Sequence, residues 1–185
     1  KKYLINIYNE KIIKFSKNYG YNLINIDING TKKIEKESIE KILNQYLYSS
    51  IFLLPLDEIS NKIKNNNWVN SVKVKTNYKD TIYVDIIEYK ILGLYKFNNK
   101  LFLFDSNGKI IDQVVNQADI KKKFILFKGQ SSNLNAKNII NILENLNFQK
   151  KFNISYIEFI KNRRWDVILN ENIKLMLSED DPKKS

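Results

Sequence analysis

The sequence contains neither cysteine nor histidine. Without cysteine there is no disulfide framework, no thiolate nucleophile and no cysteine-based zinc site. Without histidine the chain lacks the commonest general base, the commonest metal ligand and every Ser-His or Cys-His arrangement. These absences favour a binding protein over an enzyme, and we expect no catalytic residue, no metal and no cofactor.

Glycine and proline are also scarce, with five glycines and two prolines among 185 residues. The glycines do not cluster, so there is no phosphate-cradling loop, and we expect no small-molecule substrate. No apolar run reaches the roughly 20 residues of a membrane-spanning helix, and no signal-peptide pattern opens the chain. Because the chain starts at Lys1-Lys2 without methionine, we expect it to be a piece of a longer protein.

Arginine is nearly absent from a strongly basic chain. The net charge is +11, yet Arg163 and Arg164 are the only arginines and lysine supplies the other basic residues. The charge suggests a nucleic-acid-binding domain as one hypothesis. Arginine is the residue that forks onto phosphate and guanine, and the abundance of Lys, Asn and Ile is typical of an AT-rich genome. We therefore do not expect nucleic acid to be the partner.

The clearest positive signal is an alternation of apolar and polar residues on both sides of a short polar turn. Apolar and β-branched residues occupy every second position in two runs, 72–76 and 82–86. This period predicts an antiparallel hairpin with one buried face. The alternating positions are Val72, Val74 and Thr76, then Ile82, Val84 and Ile86. Trp68 precedes the hairpin, where we expect it to pack into the corner between a helix and the first strand.

A helical stripe opens the chain and ends near Gly20. Its members recur every three or four residues: Leu4, Tyr8, Ile12, Phe15 and Tyr19. Three lysines lie off the stripe: Lys11, Lys14 and Lys17. The pattern is typical either of a membrane-surface helix or of an ordinary amphipathic helix leading into a domain, and we favour the second.

Between this helix and the hairpin, the pattern predicts a strand over Tyr21–Ile28 and a helix over Glu35–Leu47. A second helix follows, for which Asp57 is the expected cap. The predicted order is therefore β-α-α-β-β, with the helices on one face of a three-stranded sheet. The fold class is α+β.

After Tyr89 the pattern indicates a mostly antiparallel β domain with one helix over Ala136–Phe148. Asp105-Ser106-Asn107-Gly108 faintly resembles a calcium loop, but the later ligand positions do not follow, so we interpret it as a turn. The predicted strands are Leu94–Phe97, Leu101–Phe104, Lys109–Asp112, Phe124–Phe127, Ser155–Ile160, Trp165–Leu169 and Ile173–Leu177.

Arg163, Arg164 and Trp165 form the most unusual local cluster, because both arginines stand beside one of the two tryptophans. Arginine and tryptophan are enriched in the hot spots of protein interfaces. A packing tryptophan at a strand start, with two solvated neighbours, explains the run equally well. Both interpretations stay open.

Several landmarks keep one order along Tyr21–Leu177. They are the strand ending at Gly30, the Ile39 helix, Trp68-Val69-x-x-Val72-x-Val74, Ile82-x-Val84-x-Ile86-x-Glu88, Leu103-x-Asp105-x-x-Gly108, and Arg164-Trp165-Asp166-x-x-Leu169 followed by Ile173-Lys174-Leu175. Together they resemble the extracytoplasmic part of the FtsQ/DivIB family of bacterial cell-division proteins. The family's usual prolines are replaced here by Asn67 and Lys79.

The resemblance implies a membrane-proximal helix at residues 1–20, a polypeptide-transport-associated (POTRA) domain at 21–89, and the family's β domain at 90–185. It also implies that this β domain is incomplete at its C-terminal end. The missing strands are those with which the family docks a small coiled-coil partner. We expect the outer strand Ile173–Leu177 to fray or to self-associate as a result.

For function, the resemblance implies a non-enzymatic scaffold of the division complex. The protein would be a single-pass inner-membrane protein, anchored by an upstream span, with this part in the periplasm. Its partners would be other division proteins, including small coiled-coil membrane proteins of the FtsB or FtsL kind. The alternative is a POTRA docking module of an outer-membrane assembly or secretion protein.

The resemblance also implies that the strand Val72–Thr76 lies at the edge of the POTRA sheet, and we expect binding by β-augmentation there. The expected contact residues are Val72, Val74, Thr76, Arg163, Arg164 and Trp165.

Overall fold

The computed structural model describes residues 2–115, 123–170 and 173–179. The chain divides into two compact units, which we call the N-terminal unit, Lys1–Tyr89, and the C-terminal unit, Lys90–Ser185. Each unit combines helices with its own β-sheet.

The N-terminal unit follows the predicted β-α-α-β-β order after an initial helix. Its elements are α1 (Lys2–Tyr19), β1 (Asn25–Asn29), α2 (Lys36–Asn44), a 3-10 turn (Ile51–Leu53), α3 (Leu56–Lys64), β2 (Val69–Thr76) and β3 (Thr81–Glu88). The strands form a three-stranded sheet in the order β1-β3-β2. β1 runs parallel to β3, whereas β2 is antiparallel to it, so the hairpin prediction is confirmed.

The residue periods explain how this unit packs. Alternate residues of β3 (Ile82, Val84 and Ile86) are buried, while Tyr83 and Asp85 between them remain partly exposed. The helices contribute pairs spaced four residues apart, which face the same side of a helix. These pairs are Ile39 with Leu43 in α2 and Ile59 with Ile63 in α3. Trp68 packs against the edge of the same core, as expected.

The expectation that Asp57 caps α3 is wrong. The helix begins at Leu56, its N-cap is Pro55, and no side chain makes a capping hydrogen bond. The Pro55 carbonyl accepts the Ile59 N–H at 3.0 Å, which starts the helix two residues earlier than the capping pattern suggested. Asp57 therefore lies in the first turn, where its negative charge favours the N-terminal end of the helix dipole.

The C-terminal unit combines a seven-stranded sheet with two helices. Its elements are β4 (Ile91–Phe97), β5 (Lys100–Asp105), β6 (Ile110–Gln113), β7 (Leu126–Lys128), α4 (Ser132–Asn145), α5 (Phe148–Lys151), β8 (Ile154–Ile160), β9 (Arg164–Leu169) and β10 (Ile173–Met176). The strand order in the sheet is β10-β9-β8-β7-β4-β5-β6. Most neighbouring strands are antiparallel, as predicted, but β7 is parallel to both β4 and β8.

The predicted helix over Ala136–Phe148 is divided in the structure. α4 begins earlier, at Ser132, and ends at Asn145, after which α5 starts at Phe148. Asn147 separates the two helices because its φ of 51° lies in the left-handed region, which a continuous right-handed helix does not contain.

Aromatic side chains fill the core between α4 and one face of the seven-stranded sheet. Phe127 contacts Phe104 and Trp165 edge to face, with ring centroids 5.6 and 6.0 Å apart. Phe159 stacks on Trp165 at 4.3 Å. On the loop between β5 and β6, Asp105 accepts backbone N–H bonds from Asn107 and Lys109, which confirms that the Asp105 segment is a turn.

Candidate partner-docking site

The predicted edge position of β2 is confirmed by the sheet order. Within the described residues, β2 pairs with β3 and has no second neighbour. Val72 and Val74 are half-buried against the core below the sheet, whereas Lys73 and Lys75 are exposed on its outer face. An edge strand presents unpaired N–H and C=O groups, so β2 can accept a further strand.

The turn after β2 holds the strand in a fixed position. The Asn77 Oδ1 accepts the N–H groups of Lys79, Asp80 and Thr81 at 2.9, 3.0 and 3.0 Å. The Asn77 amide donates to Asp80 at 2.9 Å, and this bond, with a second one from Thr81, holds the pKa of Asp80 below its ordinary value. These side-chain bonds order the turn that contains Lys79, where the family resemblance led us to expect proline.

The beginning of β2 is irregular. The register with β3 shifts between Val69 and Ser71, which leaves Asn70 as an extra residue. Such a bulge increases the local twist and discourages indiscriminate pairing of an edge. The straight part of the free edge is therefore Val72–Thr76, and we call this segment the β2 edge.

The side chain of Lys75 bends inward over the sheet. Its Nζ lies 3.0 Å from Asp85 Oδ2 on β3 and 5.8 Å from the centre of the Tyr83 ring. Both partners are on the strand opposite the open side, so the ammonium group does not lie over the free ladder. The pair is exposed, and exposed pairs contribute little stability.

Glu88 fixes the other end of the hairpin to the loop between β1 and α2. Its Oε1 accepts the backbone N–H groups of Lys32, Lys33 and Ile34 at 2.7, 2.8 and 2.9 Å. Partial burial by itself would raise the pKa of Glu88. The three N–H bonds and the nearby Lys32 lower the pKa by more than burial raises it, so the pKa lies below the ordinary value of 4.5. Glu88 is one of the residues that carry the family resemblance, and these three bonds give a physical reason for a glutamate at this position.

In the second predicted group, the tryptophan does not share a surface with the two arginines. Trp165 is only 7% exposed and lies in the aromatic core, so its indole is not available on the surface of the unit. Arg164 lies on the opposite face of the sheet, with its Nε 3.1 Å from Asp166 Oδ1. Arg163 is in the β8–β9 turn, with its Nε 3.6 Å from Glu179 Oε1. The β2 edge and these arginines belong to different units.

A buried carboxylate between two cations was missed by the sequence analysis. Asp166 is completely buried, and its two oxygens lie 3.1 Å from Arg164 Nε and 2.6 Å from Lys174 Nζ. The arginine precedes it by two residues on β9, whereas the lysine comes from β10. The spacing of Arg164 and Asp166 indicated a shared face, but the lysine required knowledge of the strand register. The cluster attaches the outer strand β10 to the sheet.

Two further observations concern the described residues alone. The residues that the structure describes contain no group of carboxylates that could hold a metal ion. None of their helices is both long and apolar enough to cross a membrane.

The fold and its free edge define a class of protein: a POTRA domain followed by a β domain. Residues 22–89 match the family model described as the POTRA domain of FtsQ type. Residues 93–185 match the model of the C-terminal part of the cell division protein FtsQ/DivIB. The chain belongs to the FtsQ/DivIB family of cell division proteins.

Similar proteins carry the same family name. The cell division protein FtsQ of Rickettsia typhi is 31% identical over 169 residues, which are 91% of this chain and 62% of that protein. The FtsQ of Rickettsia bellii is 32% identical over 85% of this chain and 58% of its own length. The FtsQ of Zymomonas mobilis is 26% identical over 86% and 50%, respectively. The chain therefore spans about three-fifths of the length of the rickettsial relatives.

Proposed function

We propose that this chain is a non-enzymatic scaffold of the bacterial division complex. It would be the periplasmic part of a single-pass inner-membrane protein that recruits and links other division proteins, including small coiled-coil membrane partners of the FtsB or FtsL kind. Membership in the FtsQ/DivIB family supports this role. The observation that carries the mechanism is the free β2 edge of the POTRA sheet.

Docking at the β2 edge would proceed by strand addition. A partner strand gains affinity from main-chain hydrogen bonds and gains specificity from side chains on the two faces of the extended sheet. Here the core-facing side offers the partly buried Val72 and Val74, while the outer side offers Lys73. A partner strand with apolar residues on one face and an acidic residue on the other would complement this arrangement.

A second docking surface in the C-terminal unit is supported by a separate observation. Arg163 and Arg164 are both at least 40% exposed, and β10 is the outer strand of the seven-stranded sheet among the described residues. This surface would bind acidic groups or a further strand. Docking at this surface does not exclude docking at the β2 edge, because a scaffold that links several partners needs more than one docking surface.

Hydrogen exchange with a bound partner tests the proposal. The chain is saturated with the periplasmic segment of a coiled-coil division protein from the same organism, and amide exchange is compared with that of the free chain. Strand addition at the β2 edge is expected to slow exchange within Val72–Thr76 by at least about tenfold. New protection confined to β10 would assign this partner to the second surface and would overturn the assignment to β2.

A pair of proline variants adds a stability control. Successive N–H groups along a strand point to opposite sides, so one of Lys73→Pro and Val74→Pro removes a bond to β3 and the other removes an outward donor. The outward variant is expected to be the more stable of the two and to lose partner binding. Lys73→Ala controls for loss of the lysine side chain. Full binding by both proline variants would contradict docking through the β2 edge.

A further inference from the structure

The described part of the α1 stripe is mostly exposed to solvent. Three of its aromatic members, Tyr8, Phe15 and Tyr19, are 66%, 47% and 69% exposed. Among the α1 side chains that the structure describes, Ser16 alone is buried, and its Oγ lies 2.7 Å from the Ser50 Oγ. An amphipathic helix that served only to cover the domain would bury its apolar stripe instead.

The exposed rings continue from the helix onto the adjoining chain. Phe15 stacks on Tyr21 with centroids 5.6 Å apart, and Tyr21 lies 5.4 Å from Phe52, which is 44% exposed. Between α1 and the 3-10 turn is an open groove of about 440 Å³, lined by Lys11, Ile12, Phe15 and Phe52. We call this aromatic surface, made of Tyr8, Phe15, Tyr19, Tyr21 and Phe52, the α1 face.

The charges around the α1 face have one predominant sign. Lys11, Lys14 and Lys17 are all exposed, and Glu10 is the only acidic residue of α1. With about 100° between successive helical residues, Lys11 lies on the flank of the aromatic stripe, whereas Lys14 and Lys17 lie about 130° and 170° from its centre. A partner for this surface must therefore accept aromatic rings and carry negative charge beside them.

We propose that the α1 face rests on the surface of an anionic lipid bilayer. Tyrosine rings are suited to the boundary between headgroups and acyl chains, because the ring is apolar and its hydroxyl group stays in contact with water. Phenylalanine rings on the same face bury apolar surface in the acyl region. Lys11 beside the stripe, with Lys14 and Lys17 farther round the helix, attracts lipid phosphates. Contact with lipid would also cover an apolar surface that otherwise faces water. The groove admits the apolar part of a lipid between Ile12 and Phe52.

Vesicle binding by the 185-residue chain tests the charge requirement. Partitioning is measured by flotation with phosphatidylglycerol-phosphatidylcholine vesicles and with phosphatidylcholine vesicles at about 0.15 M salt. Binding is expected only to the anionic vesicles. Replacing Lys11, Lys14 and Lys17 by glutamine should weaken it by at least about tenfold. The matched variant replaces Lys36, Lys41 and Lys64, which are exposed elsewhere in the same unit, and should lose much less.

Aromatic variants test whether the rings contribute beyond charge. Phe15→Ser with Tyr19→Ser should weaken vesicle binding by about tenfold or more, since burial of aromatic surface is lost. Tyr48→Ser with Tyr78→Ser is the control, because these tyrosines are 75% and 71% exposed outside the α1 face. Circular dichroism confirms that each variant is folded. Equal losses in the two pairs would overturn the proposal.

The absence of cysteine permits a direct reading of the contact surface. An environment-sensitive dye is attached at Asn18→Cys in α1 or at Lys79→Cys in the hairpin turn. Anionic vesicles should shift the emission to shorter wavelength for the first label and leave the second unchanged. No vesicle binding, or a shift at position 79 instead, would overturn the proposal and leave a protein partner as the occupant. No division partner is present, so the result is independent of the β2 edge.

Discussion

The two units fill their cores with different kinds of side chain. The buried cluster of the N-terminal unit consists of leucine, isoleucine and valine. The buried cluster of the C-terminal unit also contains Tyr95, Phe104, Phe127, Phe159 and Trp165. The sheet of the N-terminal unit packs against two nine-residue helices, and short branched side chains fill that space. The wider sheet packs against the longer α4, which leaves room for interlocking rings.

The location of the remaining aromatic residues follows the opposite pattern. The N-terminal unit exposes Tyr8, Phe15, Tyr19, Tyr48, Phe52 and Tyr78. In the described part of the C-terminal unit, the large aromatic residues that are exposed are Phe97 and Phe152. Rings that are not needed for packing are free to take part in binding. Among the described residues, the N-terminal unit therefore has no fully buried aromatic side chain, whereas the C-terminal unit buries five of them in its core.

The largest loss of stability is expected from Phe127→Ala, which removes a ring from the aromatic core of the C-terminal unit. Phe127 is completely buried between Phe104 and Trp165, and truncation of a buried phenylalanine costs about 3–5 kcal/mol. The change should destabilise the C-terminal unit and leave the N-terminal unit folded. Each unit contains one tryptophan, Trp68 or Trp165, so fluorine-labelled tryptophan gives one resonance per unit during urea unfolding.

The reciprocal control is Ile82→Ala, which truncates a completely buried side chain of β3. It should cost about 2–5 kcal/mol and shift the transition reported by Trp68 alone. If either variant lowered the urea midpoints of both resonances equally, the two cores would not be independent.

Both units share one backbone feature, which glycine substitution tests. Gly30 and Gly129 follow the parallel strands β1 and β7 and have φ values of +88° and +94°. An added Cβ would lie 1.9 Å from the Ile86 carbonyl oxygen at the first and 2.2 Å from that of Phe159 at the second. We expect each change to alanine to destabilise its own unit by about 2–4 kcal/mol, measured by urea unfolding.

Gly20→Ala separates conformational strain from the steric clash. Gly20 has a φ of +74°, but an added Cβ would meet no atom within 4 Å. Only the left-handed backbone is then penalised, at about 1 kcal/mol. A cost at Gly20 equal to those at Gly30 and Gly129 would show that contact with the neighbouring strand is unimportant.

The sequence predicted the N-terminal unit well because its signals are local. Alternation over Val72–Thr76 and Ile82–Ile86 determined both the hairpin and its buried face, and a spacing of four residues determined the helix cores. The start of α3 was mispredicted because aspartate is a common N-cap residue and Asp57 fits that pattern, whereas in the structure the N-cap is Pro55. The edge position of β2 followed from the family resemblance and was not evident from the periodicity.

Prediction was weaker where strands pair over long distances. The parallel pairing of β7 with β4 and β8 has no signature in β7 itself, since this strand is three residues long. For Trp165, one of the candidate docking residues, the sequence was compatible with two roles: packing in the core and binding a partner. Alternation on β9 places Trp165 on the core side and Arg164 on the other, but the burial of a side chain depends on what covers each face of the sheet.

A smaller effect is expected from Glu88→Gln, which concerns the N-terminal unit alone. The folded pKa of Glu88 is depressed, so its contribution is complete above the unfolded value near 4.5 and is lost as the pH falls through the folded pKa. The wild-type N-terminal unit should therefore lose stability below about pH 5, and the variant should lose less. Since the group is largely solvated, we expect a cost of roughly 1 kcal/mol at neutral pH.

The control for this prediction is Glu40→Gln, on the exposed side of α2. It removes one negative charge without removing the three backbone bonds that Glu88 accepts. Urea unfolding is monitored through the Trp68 resonance between pH 3 and pH 7, across the range in which carboxylates titrate. Identical acid profiles for wild type and Glu88→Gln would contradict a depressed pKa at Glu88.

The smallest expected effect compares the two outer strands, β2 and β10. β2 has eight residues and a core-facing side anchored by Val72 and Val74, whereas β10 has four residues, with Ile173 and Met176 mostly exposed. The ion pair of Lys174 with Asp166 holds β10, but Lys174 itself is half-exposed. A short strand with few buried contacts opens locally at low cost. In a dilute sample, we therefore expect β10 amides to exchange at least about tenfold faster than those of β3, with β2 between them.

If β10 pairs with a second copy of the chain, its protection should rise with protein concentration while that of β3 stays constant. Equal protection of β10 and β3 in the dilute monomer would show that the Asp166 cluster and the pairing with β9 are together enough to hold the outer strand.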